Sequence, residues 1–163
     1  MKIESKAGET FELPLKTLSG AVLHELNMHR AIFSAADLSR ARITNSNFRG
    51  AYFDWADLRD GVFDGCNFAT ACFGHAHLRS ASLQNTVLIG AQFEHANLIG
   101  ANLTGADLGF ASLKYANLSG AICLADRLEE AELDGAWFDK TTIWPKGFDT
   151  GASGLVDVTH QSD

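Results

Sequence analysis

The stretch Ala101-Asn102-Leu103-Thr104-Gly105 states in five residues a pattern that runs through most of the chain. Leu103 belongs to a column taken at every fifth position from Leu18 to Phe138, and all 25 members are apolar, the weakest being Cys123. The chain is 46% apolar, so chance would fill only about half of that column. Eight of the eleven phenylalanines fall in it. Ala101 belongs to a second column two residues earlier, from Ala21 to Ala136, where 18 of 24 members are alanine. Ser46, Gly61, Cys66 and Thr86 keep that column small, and only Leu26 and Asp126 break it. Between the columns Asp or Asn often stands, as at Asp37, Asn47, Asp57, Asn67, Asn97, Asn102, Asp107 and Asn117.

A period of five matches neither the 3.6 of a helix nor the 2 of a simple strand. It fits a coil with flat sides, each five residues long. One large and one small residue per side point inward, because a second bulky group would overpack a narrow cross-section. The other three point outward or form the corner, where Gly90, Gly100, Gly105 and Gly120 tolerate a turning backbone.

With these columns the sequence resembles the pentapeptide-repeat family over residues 16–148. The resemblance implies an all-β fold, a right-handed quadrilateral β-helix with four pentapeptides per coil. Four sides predict a further period of twenty, and sorting by twenty supports it. One side reads Phe33, Phe53, Phe73, Phe93, Leu113, Leu133, with Ala31, Ala51, Ala71, Ala91, Ala111 and Ala131 as its small partners. The irregular Leu26, Ser46, Cys66, Thr86 and Asp126 all share another side. The phenylalanines are therefore expected to stack about 4.8 Å apart, in a solenoid of roughly six coils about 30 Å long. Such a rod needs a cap at both ends. Residues 1–15 read as a hairpin, with Ile3 and Phe11-Glu12-Leu13 around Lys6-Ala7-Gly8-Glu9 and Pro14 closing it. The segment Ile143 to Asp149 resembles the family's closing aromatic segment. Residues 149–163 read as a loose polar tail. Residues 124–131 are helix formers and place the charge of Asp126 in the small-residue column, which suits an inserted helical turn, whereas Leu128 and Leu133 keep the register of the repeat, so the sequence leaves both readings open.

Composition narrows the function. No run of about 18 apolar residues occurs, and the start lacks the apolar stretch of a secretory signal. Three cysteines with no C-x-x-C spacing point away from a disulfide framework or structural zinc and towards a reducing, cytoplasmic setting. A net charge of −7 does not suit direct nucleic-acid binding. No phosphate loop, dinucleotide fingerprint, nucleophile elbow or H-E-x-x-H occurs. The expectation is a non-enzymatic chain with no cofactor and no metal. His75 and His95 lie twenty residues apart near Cys72 and Glu94, which reads more simply as surface histidine than as a metal site. Cys72 points outward as a candidate reactive thiol, whereas Cys66 and Cys123 read as packing.

Function then falls to the outward residues. The side built on Phe33, Phe53, Phe73 and Phe93 carries Asp54, Glu94, Glu132 and Asp134 against Lys114, a net of −3. Its corner is a ladder of Trp55, His75, His95 and Tyr115, with Tyr52 beside it. Tyr52, Asp54, Trp55, His75, Glu94, His95 and Tyr115 are therefore the expected face for a protein partner or a second copy. The family resemblance adds an alternative: a duplex-DNA mimic that binds DNA gyrase or topoisomerase IV and protects against quinolones or toxins. Such mimicry needs concentrated acid. Two other sides balance to zero, one with Asp37, Asp57, Asp60 and Asp139 against Arg40, Arg59, Arg79 and Lys140, the other with Arg30, Arg49 and Arg127 against Asp107, Glu129 and Glu130.

Overall fold

The computed structural model describes residues 1–13 and 16–160. Over them the chain winds as a right-handed, four-sided β-helix, and Ala101–Gly105 shows why. Five backbone N–H groups must each find an acceptor. Asn102 N–H donates to Ala81 O at 2.9 Å on the coil before, while Leu103 and Gly105 donate to Ile122 O and Leu124 O on the coil after, at 2.8 and 2.9 Å. Ala101 N–H donates to Leu98 O at 3.0 Å, closing the corner turn. Thr104 N–H is left, and the Asn102 side-chain Oδ1 accepts it at 3.0 Å. The same side-chain-to-backbone bond recurs from Asn47 to Arg49, Asn67 to Ala69, Asn97 to Ile99 and Asn117 to Ser119. This is the physical reason for Asp or Asn between the two inward columns.

The corners fix the direction of winding. The last residue of nearly every pentapeptide adopts a left-handed conformation, with φ near +60° at Ala35, Trp55, His75, His95 and Tyr115 as well as at Gly100 and Gly105. Glycine takes this conformation without strain, whereas other residues lose about 1–2 kcal/mol each. Parallel pairing then joins residues twenty apart, as Tyr52 with Cys72, Cys72 with Gln92 and Gln92 with Ser112. It begins at strands β3 (Val22–His24) and β4 (Arg42–Thr44).

The interior is largely apolar. Ala51, Ala71, Ala91 and Ala111 are fully buried beside Phe53, Phe73 and Phe93. The expected phenylalanine stack forms, with ring centroids 4.8, 5.0 and 4.7 Å apart from Phe33 to Phe93. Phe48 and Phe68 stack on the adjoining side at 5.3 Å and meet the first stack edge-on, for example Phe48 against Phe53 at 5.6 Å. On the irregular side, the Ser46 hydroxyl donates to Thr44 O and the Thr86 hydroxyl to Leu83 O, so these buried polar groups are satisfied.

Both ends are covered. Strands β1 (Lys2–Glu4) and β2 (Thr10–Glu12) form an antiparallel hairpin. It docks on the first coil through Ile32 N–H to Glu4 O at 2.7 Å and Lys6 N–H to Arg30 O at 3.0 Å, and buries Ile3. The closing role expected of Pro14 lies outside the described residues. At the far end Trp144 packs on the core between Phe138 and Phe148, at 5.8 and 5.1 Å.

Two expectations need correction. Asp126 does not point inward. The register slips by one, so that Asp126 pairs with Asp107 and is exposed, while Ala125 packs against the core. Arg127 then turns left-handed, and a single 3-10 turn over Leu128–Glu130 restores Leu128 to the interior. The slip spares a charge the cost of burial. The residues after 149 are not a loose tail throughout. Strand β6 (Val156–Asp157) pairs in parallel with β5 (Trp137–Phe138), and Leu155 packs on the core. Unpaired backbone at the last coil supplies the template for this extra rung. The final residues, 161–163, lie outside the described residues.

Candidate interaction face

The corner between the Phe-stack side and the next is a ladder of exposed rings. Trp55 lies on His75 at 4.1 Å, His75 on His95 at 5.0 Å and His95 on Tyr115 at 5.1 Å, all nearly parallel. Trp55 and Tyr115 are 61% and 55% exposed, far above what a core ring shows. Ala35 precedes the ladder and Gly135 ends it. A Cβ at Gly135 would come within 2.6 Å of the Tyr115 ring, so glycine is what lets that ring lie flat.

Immediately alongside runs the column Asp54, Gly74, Glu94, Lys114, Asp134. Lys114 is tied to Glu132 at 2.8 Å. Among the described residues Asp54, Glu94 and Asp134 have no cation within 4.0 Å, and beside the rings Asp54 and Glu94 are half-buried and Asp134 is exposed. The structure thus brings Asp54, Trp55, His75, Glu94, His95 and Tyr115 onto one edge. It does not place Tyr52 there. Tyr52 lies at the opposite edge of the same side, half-buried, with the Lys6 ammonium 5.3 Å from its ring centre.

Two apolar neighbours escape the sequence reading. Trp137, 48% exposed, stands one rung beyond Asn117 and lines a shallow groove of about 310 Å³ with His95, Asn97, Tyr115 and Asn117. The period of twenty points to Trp137 from Asn117. Val156 pairs with Trp137 and extends the strip, but the spacing there is nineteen, so no periodic signal marks it.

The histidine pair does not converge on a common point. Ring nitrogens direct their lone pairs in the ring plane, and the two planes are parallel, 4° apart. Among the described residues no three His, Cys, Asp or Glu side chains are grouped to hold a metal ion. Nor is Cys72 activated. Burial, then Asp54 and Glu94, push its thiol up from the ordinary value, so its thiolate is scarce near neutral pH. Burial pushes Cys66 up to about 11 and Cys123 up to about 12. Among the described residues no helix is long and apolar enough to cross a membrane.

A solenoid of five-residue sides with Asx-braced corners defines a repeat protein. The family model for pentapeptide repeats matches eight copies, in segments running from residue 17 to residue 144, and the chain belongs to that family. Among solved structures it is similar to a trypsin-treated variant of QnrB1, a plasmid-mediated fluoroquinolone resistance protein, at 18% identity over 88% of this chain and 87% of that one, with a TM-score of 0.50. It is also similar to HetL, involved in heterocyst differentiation regulation in the cyanobacterium Nostoc sp. strain PCC 7120, at 22% identity over 86% of this chain and 87% of that one, with a TM-score of 0.38. Rfr23 of the cyanobacterium Cyanothece 51142 matches at 29% identity over 77% of this chain and 89% of that one, with a TM-score of 0.27. No curated protein sequence matches. The likeness to QnrB1 shows the fold alone.

Proposed function

We infer that the chain is a rigid β-helical scaffold that binds a protein partner, or a second copy of itself, through the corner of Trp55, His75, His95 and Tyr115. The observation that carries this reading is the ladder of exposed rings held at left-handed corner positions. Each ring costs about 1–2 kcal/mol of backbone strain there relative to glycine. Each ring–ring contact returns about 0.5–1.5 kcal/mol. The strain is shared by corners that carry no ring, such as Arg40, Thr70, Ser80 and Asn85, so it is the exposure of Trp55 and Tyr115, 61% and 55%, that points to a partner. Exposed Trp and Tyr are common anchors of interfaces. The adjoining Asp54 and Glu94 favour a partner segment bearing Arg or Lys, whose planar or cationic head stacks on the rings while pairing with acid.

The test is a pair of substitutions, Trp55→Ala and Tyr115→Ala, with light scattering for self-association and capture from the native cell for a partner. Both variants are expected to stay folded and lose association. Association unchanged in the double variant removes the reading. A second arm adds the chain to a DNA gyrase supercoiling assay, prompted by family membership and by the resistance role in QnrB1's description. Inhibition or protection at micromolar protein would favour a topoisomerase partner. The balanced charge of the two other sides argues against that outcome, since a duplex mimic needs acid along its length.

A further inference from the structure

The side that carries Arg30, Arg49, Arg127, Asp107, Glu129 and Glu130 is neutral in sum, yet its charges are separated along the rod. Near the C-terminal end Arg127 pairs with both Asp107 and Glu130. Near the N-terminal end the cations are unopposed. Among the described residues neither Arg30, Arg49 nor Lys6 has a carboxylate within 4.0 Å, and Glu9 lies 3.6 Å from His29.

Backbone hydrogen bonds set these cations on consecutive rungs. Lys6 N–H donates to Arg30 O at 3.0 Å, and Arg30 N–H donates to Arg49 O at 2.9 Å. Rungs of a β-ladder lie about 4.8 Å apart, so three fixed positive charges rise along one edge. Arg30 and Arg49 line a concave notch of about 450 Å³ with His29, Gly50, Tyr52 and Thr70, and Lys6 stands beside it with its ammonium 5.3 Å from the Tyr52 ring centre. The floor of the notch is open because Gly50 supplies no side chain between Arg30 and Thr70, whose atoms lie 3.5 and 3.7 Å from where a Cβ would stand. Three like charges at one concavity repel one another unless an anion sits among them. Guanidinium forks match phosphoryl oxygens two at a time, and the Thr70 hydroxyl adds a donor.

We propose that this notch is a binding site for a small diphosphate-bearing anion, held by Arg30, Arg49 and Lys6. A diphosphate matches three cations in charge, and the volume lies in the range of small-ligand pockets. The site stands apart from the aromatic corner and does not depend on the function inferred there.

Calorimetry on the full chain with inorganic pyrophosphate and with ADP tests it. Saturable one-to-one binding is expected, weakened about ten- to a hundredfold by Arg49→Gln and abolished by Arg30→Gln with Arg49→Gln. Arg79→Gln, at a cation outside the notch, is expected to change nothing. Thermal melts of the variants matching the parent show that the fold is intact. Tighter binding of ADP identifies the ligand as an esterified diphosphate, and equal binding identifies free diphosphate. The proposal is overturned by no binding at about 10 mM ligand. Binding that survives the double substitution, or that Arg79→Gln weakens as much, overturns it too.

Discussion

At the scale of single residues the fold depends on a division of labour within each pentapeptide. The large inward residue supplies area, the small one supplies room, and Asp or Asn supplies the acceptor that no backbone group can. Phe53 shows the first role. It is buried and stacks between Phe33 and Phe73, with Phe48 and Phe68 edge-on. Its neighbours are pinned by backbone ladders and cannot collapse into a void. Phe53→Ala is therefore expected to cost about 3–5 kcal/mol in chemical denaturation, and Phe53→Leu distinctly less. A loss below about 1 kcal/mol for the alanine variant would mean that the stack is not packed as described.

The element that repeats is the braced corner, and it titrates where the brace is Asp. Folding holds the Asp37 carboxyl below its ordinary value of 3.8 through the Ser39 hydroxyl and N–H. Asp57 is lowered through the Arg59 side chain, and Asp139 through the Thr141 hydroxyl. A carboxyl whose value falls on folding stabilises the native state above its unfolded value. That stability is lost as pH falls through the lowered folded values. The melting temperature is expected to be level from neutral pH down to about pH 5 and to drop from about pH 4 downward. A profile flat to about pH 2.5 would show that these corner carboxylates do not contribute.

At the scale of the whole molecule a solenoid is only as stable as its ends. The hairpin of β1 and β2 satisfies the first coil's backbone and covers its apolar section. Removing residues 1–13 leaves Ile32 N–H without Glu4 O and exposes the side of the core that Ile3 covers. Concentration-dependent oligomers are the expected result by light scattering, because an open ladder pairs with another chain. A deletion variant that stays monomeric and melts like the parent would assign the hairpin no capping role. The same view of the whole rod separates its two candidate surfaces. The aromatic corner and the cationic notch occupy opposite edges of one side, so a partner and a small anion can be held together.

The sequence by itself determined the repeat, the four sides, the phenylalanine stack, and the ladder from Trp55 to Tyr115. Each follows from strict periods of five and twenty, and a period is a property of the chain alone. Tertiary structure decided whatever departs from the period. The slip that turns Asp126 outward and the rung added by Val156 are of this kind. So is the gathering of Lys6 with Arg30 and Arg49, which lie 24 and 19 residues apart along the chain. Counting charge per side hid that notch, because a sum carries no position along the axis. Only the docked hairpin brings Lys6 there, and a contact between a cap and a coil has no period to read.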